Sequence, residues 1–179
     1  MNHSTQNFGL AVALMCIALA GCGGLVVERM MPPNAAAPAP RFDGALRVLP
    51  VTGARDSQFG GPALISNEMY REALVSALRK SNLFRRVETD SVGDYELHTD
   101  LVAQGQSLGL DYRSSMVAQY RITDVRSGAE RWKRGFNSRH EVTVGQALSG
   151  ATRTTMAQEG SVRENLAQLV TALSTAELK

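Results

Sequence analysis

The chain has 179 residues with 19 basic and 17 acidic side chains, a net charge of +2, and no charge at all before Glu28. Charge is confined to residues 28–179 and no second long apolar run occurs there, which excludes a polytopic membrane protein; a spanning helix needs roughly 20 apolar residues. A 44% hydrophobic content excludes a disordered tail, two cysteines (Cys16 and Cys22) exclude a disulfide scaffold, and +2 is too small a charge to argue for nucleic acid.

Phe8 to Gly21 form an apolar core of 14 residues, the length of a secretory h-region rather than a span. The core runs into Leu19-Ala20-Gly21-Cys22. Small side chains at Ala20 and Gly21 leave the backbone open to a peptidase, and the Cys22 thiol is the nucleophile there able to take a lipid. This pattern resembles the lipobox of bacterial lipoproteins. The resemblance implies a signal peptide at residues 1–21, cleavage between Gly21 and Cys22, a diacylglycerol and an N-acyl lipid on Cys22, and no other cofactor. Two or three acyl chains, at about 0.8 kcal/mol per buried CH₂, anchor a protein stably. Gly23 follows the cysteine instead of the Asp that retains enteric lipoproteins in the inner membrane, so the family rule implies the outer membrane, facing the periplasm. Uncharged sequence continues to Val27, and Met1–Asn7 hold no Lys or Arg, which leaves an uncleaved signal anchor as the other reading. Gly21, Gly23 and Gly24 disfavour a helix at that end.

Residues 22–42 hold four of the six prolines, in Pro32-Pro33 and Pro38-Ala39-Pro40. Proline fixes φ and removes a donor, which predicts an extended tether; about 20 residues at roughly 3.1 Å each would reach about 60 Å. The same composition also suits a leader with no specific role.

Residues 43–179 are expected to form one domain. Ala45–Val51 reads as a strand that Pro50 ends or places at an edge. The Gly-rich loop Thr52–Ile65 follows, with Arg55, Asp56 and Phe59 as candidate binding residues; it is either a functional loop or a plain connection. Ser66 or Asn67 caps a helix whose stripe is Met69, Tyr70, Ala73, Leu74, Ala77 and Leu78, with Asn82 as its left-handed stop. A short strand at 85–88 comes next. Tyr95, Leu97, Thr99, Leu101 and Ala103 then alternate with Glu96, His98, Asp100 and Gln104. A strand from Met116 leads through the turn Asp124–Gly128 into a partner strand carrying Trp132 and Phe136. The last helix presents Val162, Leu166, Leu169, Val170 and Leu173; it begins at the capping-box pattern Ser161–Glu164 or earlier, near Ala151, with Gly160 inside it.

The expected order is thus β-α-β-β-β-β-α, an α+β fold with a mostly antiparallel sheet of four or five strands and two helices on one face. Ser66–Arg86 and Tyr120–Lys133 resemble segments of small periplasmic domains of outer-membrane lipoproteins: the lipopolysaccharide-assembly lipoprotein, the activator of peptidoglycan synthases, the curli secretion lipoprotein and auxiliary lipoproteins of ABC-type transporters. The resemblance implies the fold without choosing among those functions.

Catalytic and metal signatures are not found in the sequence. His98 and His140 lack metal-ligand spacing, no Gly-x-Ser-x-Gly elbow occurs, and Gly60-Gly61 lacks the context of a phosphate loop. Arg126, Arg131, Lys133, Arg134 and Arg139 gather around one hairpin; Arg131, Lys133 and Arg134 are candidate contacts to an acidic partner, or form a solvated face balanced by Glu130 and Glu141. The expectation is a non-catalytic, lipid-anchored accessory protein that docks onto an envelope assembly or transport complex, with no metal and no nucleic acid. The alternative is a carrier of lipid or glycolipid, which needs an apolar pocket between sheet and helices.

Overall fold

The computed structural model describes residues 24–33, 36–37, 39–54, 64–107 and 109–178. Ser66 caps the first helix, α1 (Asn67–Ser81), its side chain accepting from the Met69 N–H, and Glu68 sits in the positive first turn. Asn82 ends α1 at φ 52°, the left-handed position expected for it. Leu83 and Phe84 then fold back into the core.

Five strands form one sheet: β1 (Phe42–Val48), β2 (Phe84–Glu88), β3 (Tyr95–Ser107), β4 (Tyr112–Asp124) and β5 (Glu130–Val142), in the spatial order β2-β1-β3-β4-β5. The long β3-β4-β5 meander is antiparallel. β1 runs parallel to both β2 and β3, so α1 is the crossover between the parallel pair β1 and β2. The class, strand count and element order are those the sequence predicts. β1 lies a few residues earlier than expected, at Phe42–Val48, because Pro50 offers no N–H to a ladder. Beyond it the chain still runs beside β3 irregularly, with Thr52 bridged to Asp100.

The second helix, α2, spans Gly150–Thr175, and Ser149 caps it by accepting from the Thr152 N–H. The reading with Gly160 inside one long helix holds, and Ser161 is interior: its hydroxyl bonds the Gln158 carbonyl and Ser114 of β4. Gly160 is required there by close approach. A Cβ at 160 would lie 2.7 Å from His140 Nε2 and closer still to the carbon side of that ring. His140 lies against α2 and pairs with Glu164 at 2.7 Å.

Leu46 and Val48, Leu97 and Leu101, Met116, Ala118, Tyr120 and Ile122 point from the sheet towards Tyr70, Leu74 and Leu78 of α1 and Val162, Leu166, Leu169 and Leu173 of α2, all nearly or fully buried. Burying each Leu-sized side chain contributes about 1.5–3 kcal/mol. One polar knot sits in this layer. Asn165 Oδ1 accepts from the Tyr120 hydroxyl at 2.6 Å, while its amide donates to the Phe136 carbonyl and Ser138. The Tyr70 hydroxyl, 3.1 Å from the same Oδ1, donates to the Tyr120 oxygen. Burial raises both tyrosine pKa values well above the ordinary one, so the knot is neutral.

The described part of the expected tether is not an extended spacer, which corrects that expectation. Val27–Met30 form a 3₁₀ turn that contacts both helices; Met30 is fully buried, and Leu25, Val27, Met31 and Ala37 pack against the core. Pro32 is itself buried beside Met30, and there burial outweighs the extended preference. Among the described residues no helix is long and apolar enough to cross a membrane.

Candidate functional site

Residues directly opposite across a ladder share a face, so the register sorts the polar side chains. Leu97, Ile122 and Trp132 form one rung on the helix-covered face, and Thr99, Tyr120 and Arg134 another. The rungs on the open face are His98–Arg121–Lys133 and Asp100–Gln119–Gly135. Two bulges shape this pattern. Between Leu101 and Ala103 the ladder slips by one residue, leaving Val102 extra. Ala103 therefore turns outward, and the Gln104 amide pairs with both backbone groups of Ile65 at 3.0–3.1 Å, the reverse of the alternation read from sequence. The second slip leaves Arg131 extra between Glu130 and Trp132 and seats Trp132 in the core.

The basic cluster expected at the hairpin is thereby divided. Lys133 and Arg139 lie on the open face, Arg131 bonds Asp124 at 3.2 Å beside the turn, and Arg134 is exposed on the opposite side of β5. Gly128, at φ 67°, closes the turn, where Asp124 also accepts from the Ser127 N–H and hydroxyl. Those bonds, with Arg131 adding to them, hold the Asp124 carboxyl below the usual range. Arg55, Asp56, Phe59, Gly21 and Cys22 lie outside the described residues. The loop flanks are pinned: Thr52 to Asp100, Ala54 to Asn67 at 2.9 Å, and Ile65 to Gln104.

A groove of about 490 Å³ crosses the open face, walled by Leu49, Pro50 and Thr52 on one side and by Gln119, Arg121 and Lys133 on the other. The acidic and imidazole groups near it have separate partners and do not form an acid–base set. Glu96 pairs with Arg47, Asp100 accepts from the Thr52 hydroxyl at 3.0 Å, and His98 faces the Thr123 hydroxyl at 3.3 Å. Burial, then the neighbouring Arg121 guanidinium, lowers the His98 pKa, favouring neutral imidazole. Arg121 and Lys133 sit directly opposite on adjacent strands, and among the described residues neither has a carboxylate within 4 Å. Like charges so placed oppose sheet formation. Further along the same face, Arg113 pairs with Glu141 while Arg139 adds another cation. Arg121 is the site residue that the alternation pattern alone did not single out. The space a lipid carrier would need, between sheet and helices, is filled by the core side chains and the Asn165 knot.

No protein-family model matches this chain, and no curated protein sequence matches it. Solved structures do. A Xanthomonas campestris protein of the family DUF330 superposes with a TM-score of 0.58 at 15% identity, covering 78% of this chain and 87% of that one. A protein from Chlamydia trachomatis gives 0.51 at 11% identity, covering 73% and 98%. A lipoprotein from Neisseria meningitidis gives 0.42 at 18% identity, covering 73% and 94%. The first two likenesses concern the fold: this chain has the α+β architecture of those proteins.

Proposed function

We propose that this chain is a lipid-anchored, non-catalytic accessory domain of the outer envelope that docks onto an acidic surface of an envelope protein assembly through the open face of its sheet. Cys22, following Leu19-Ala20-Gly21, carries the lipid, and Gly23 directs it to the outer membrane. The observation that carries the reading is the His98–Arg121–Lys133 rung at the centre of an uncovered sheet face. Two cations held opposite one another weaken the isolated domain and are neutralised by an acidic partner.

The test uses the full-length chain in cells, with a photo-crosslinking side chain at Gln119 on the open face and, as control, at Thr171 on α2. The reading expects a discrete protein adduct from position 119 that disappears in the Arg121→Glu, Lys133→Glu variant while palmitate labelling persists. An adduct unaffected by that charge reversal, or formed equally from 171, overturns docking by the open face. Palmitate incorporation that survives Cys22→Ser overturns the anchor.

A further inference from the structure

The segment closest to the lipobox is held to the domain by bonds that an idle leader does not need. The Val26 N–H donates to Glu159 Oε1 at 2.9 Å, and that carboxylate, 3% exposed, lies in the middle of α2. Arg29 approaches the same carboxylate at 3.8 Å. Arg163, one turn further along α2, donates to the Arg29 carbonyl at 2.9 Å. Met30 is fully buried and Pro32 is buried beside it. Then Ala37 is held at both backbone groups, its N–H by the Ser81 carbonyl at 2.8 Å and its carbonyl by the Asn82 amide at 3.1 Å. Among the described residues the chain is therefore fastened at Val26–Met30 and again at Ala37, and Glu159 is an ionisable group buried for that fastening.

We infer that this segment is a clasp that seats the domain directly on the bilayer in one orientation, with the helix layer towards the lipid headgroups and the open sheet face turned away. The inference rests on the lipid-anchor reading of Cys22. Val26, the first residue with a fastened backbone group, is four residues beyond Cys22, and an extended chain spans at most about 3.6 Å per residue, so the lipidated residue lies within roughly 14 Å of the fastened segment whatever its conformation. That replaces a reach of about 60 Å expected of a free tether. The 3₁₀ turn lies against α1 and α2, and both helices cover the same face of the sheet, so the sheet stands between the anchor and the groove. Arg29, whose side chain is 60% exposed, is then placed beside the headgroup phosphates. The clasp also explains how the His98–Arg121–Lys133 rung stays available to a protein: cations facing the bilayer would be occupied by anionic lipid.

The full-length lipidated protein, reconstituted in phosphatidylethanolamine–phosphatidylglycerol vesicles carrying a headgroup energy-transfer acceptor, tests this. With Cys16 removed with the signal peptide and Cys22 acylated, a single introduced cysteine can be labelled uniquely. Thr171→Cys reports the helix layer and Gln119→Cys the open face. The expected result is severalfold stronger transfer from 171 than from 119, a difference that collapses when a 20-residue Gly/Ser linker is inserted between Gly23 and Gly24, which leaves every clasp contact in place. Vesicle flotation with equal transfer from the two positions, or a difference the linker does not change, overturns the clasp while leaving the anchor standing. A chain that does not float and takes no palmitate overturns the anchor, and the clasp with it.

Discussion

Gly160→Ala sets two effects of opposite sign against each other within one helix. Alanine in a helix interior is favoured over glycine by about 1 kcal/mol, and nothing in the local sequence opposes it. The added methyl, however, would enter the ring of His140, 2.7 Å from Nε2 and nearer to its carbons. Overpacking of this kind costs about 1–3 kcal/mol. The ring cannot swing freely, because Nδ1 is held by Glu164 at 2.7 Å, and losing that half-exposed pair adds up to about 1 kcal/mol. The balance is a net destabilisation of about 1–2 kcal/mol, a fall in melting temperature of roughly 2–4 °C per kcal/mol for a chain of this size. Urea unfolding monitored by circular dichroism measures it. The His140→Ala background supplies the decisive comparison: with the ring gone, Gly160→Ala should become stabilising, by up to about 1 kcal/mol. A stabilising Gly160→Ala in the presence of His140, or the same destabilisation in both backgrounds, would refute the packing argument.

Asn165→Ala should be among the most damaging single changes, at about 3 kcal/mol or more, because it takes the acceptor from the buried Tyr120 hydroxyl and the donor from the Phe136 carbonyl and Ser138; unfolding curves of the variant beside Tyr70→Phe, expected at about 1 kcal/mol, check it. Lys133→Gln should leave stability unchanged or raise it slightly in the same assay, since it relieves a like-charge pair, while weakening the crosslink from position 119. Two carboxylates should respond to pH in opposite directions. Asp124, held low chiefly by Ser127, contributes stability above the ordinary carboxylate value that is lost as pH falls through its native value, so wild type and Asp124→Asn should converge in acid. Glu159 is held high by burial, despite the Val26 N–H, Arg29 and Arg163, so its native form binds the proton more tightly than the unfolded chain; wild type should lose stability relative to Glu159→Gln as pH rises through the raised value. Parallel pH profiles would overturn both assignments.

What the sequence made legible were the features that local chemistry dictates. The Ser66 cap, the left-handed Asn82 and the apolar stripes of both helices each arise from one side chain or one period, and each is found in place. What it concealed depends on single-residue slips in pairing. Counting back from the Asp124–Gly128 turn without the slip at Arg131 puts Arg121 opposite Trp132; with it, Arg121 meets Lys133 and the tryptophan enters the core. No residue type announces such a bulge. The slip at Val102 likewise exchanges the roles of Ala103 and Gln104. The parallel pairing of β1 was equally hidden, because a seven-residue strand holds no record of its neighbours' direction. The proline-rich segment misled for a different reason: proline reports local stiffness, whereas the groove that receives Met30 is built by helices lying far along the chain.

That separation sets an order of assembly. Val26 and Glu159 are 133 residues apart, and at about 5–20 residues per second the residues of the clasp are synthesised roughly 7–27 s before the glutamate that receives them. Throughout that interval Leu25 and Met30 have no groove to enter, and the stretch beside Cys22 is open to any enzyme that must bind it as extended chain. Completion of α2 supplies the Glu159 carboxylate for Val26 and the groove for Met30. Under the proposed lipid anchor, lipid transfer and signal cleavage would have a natural deadline, set by the last helix to be made, and a chain ending before residue 150 would keep its acylated end while its helix side and the inner face of β4 and β5 lay bare.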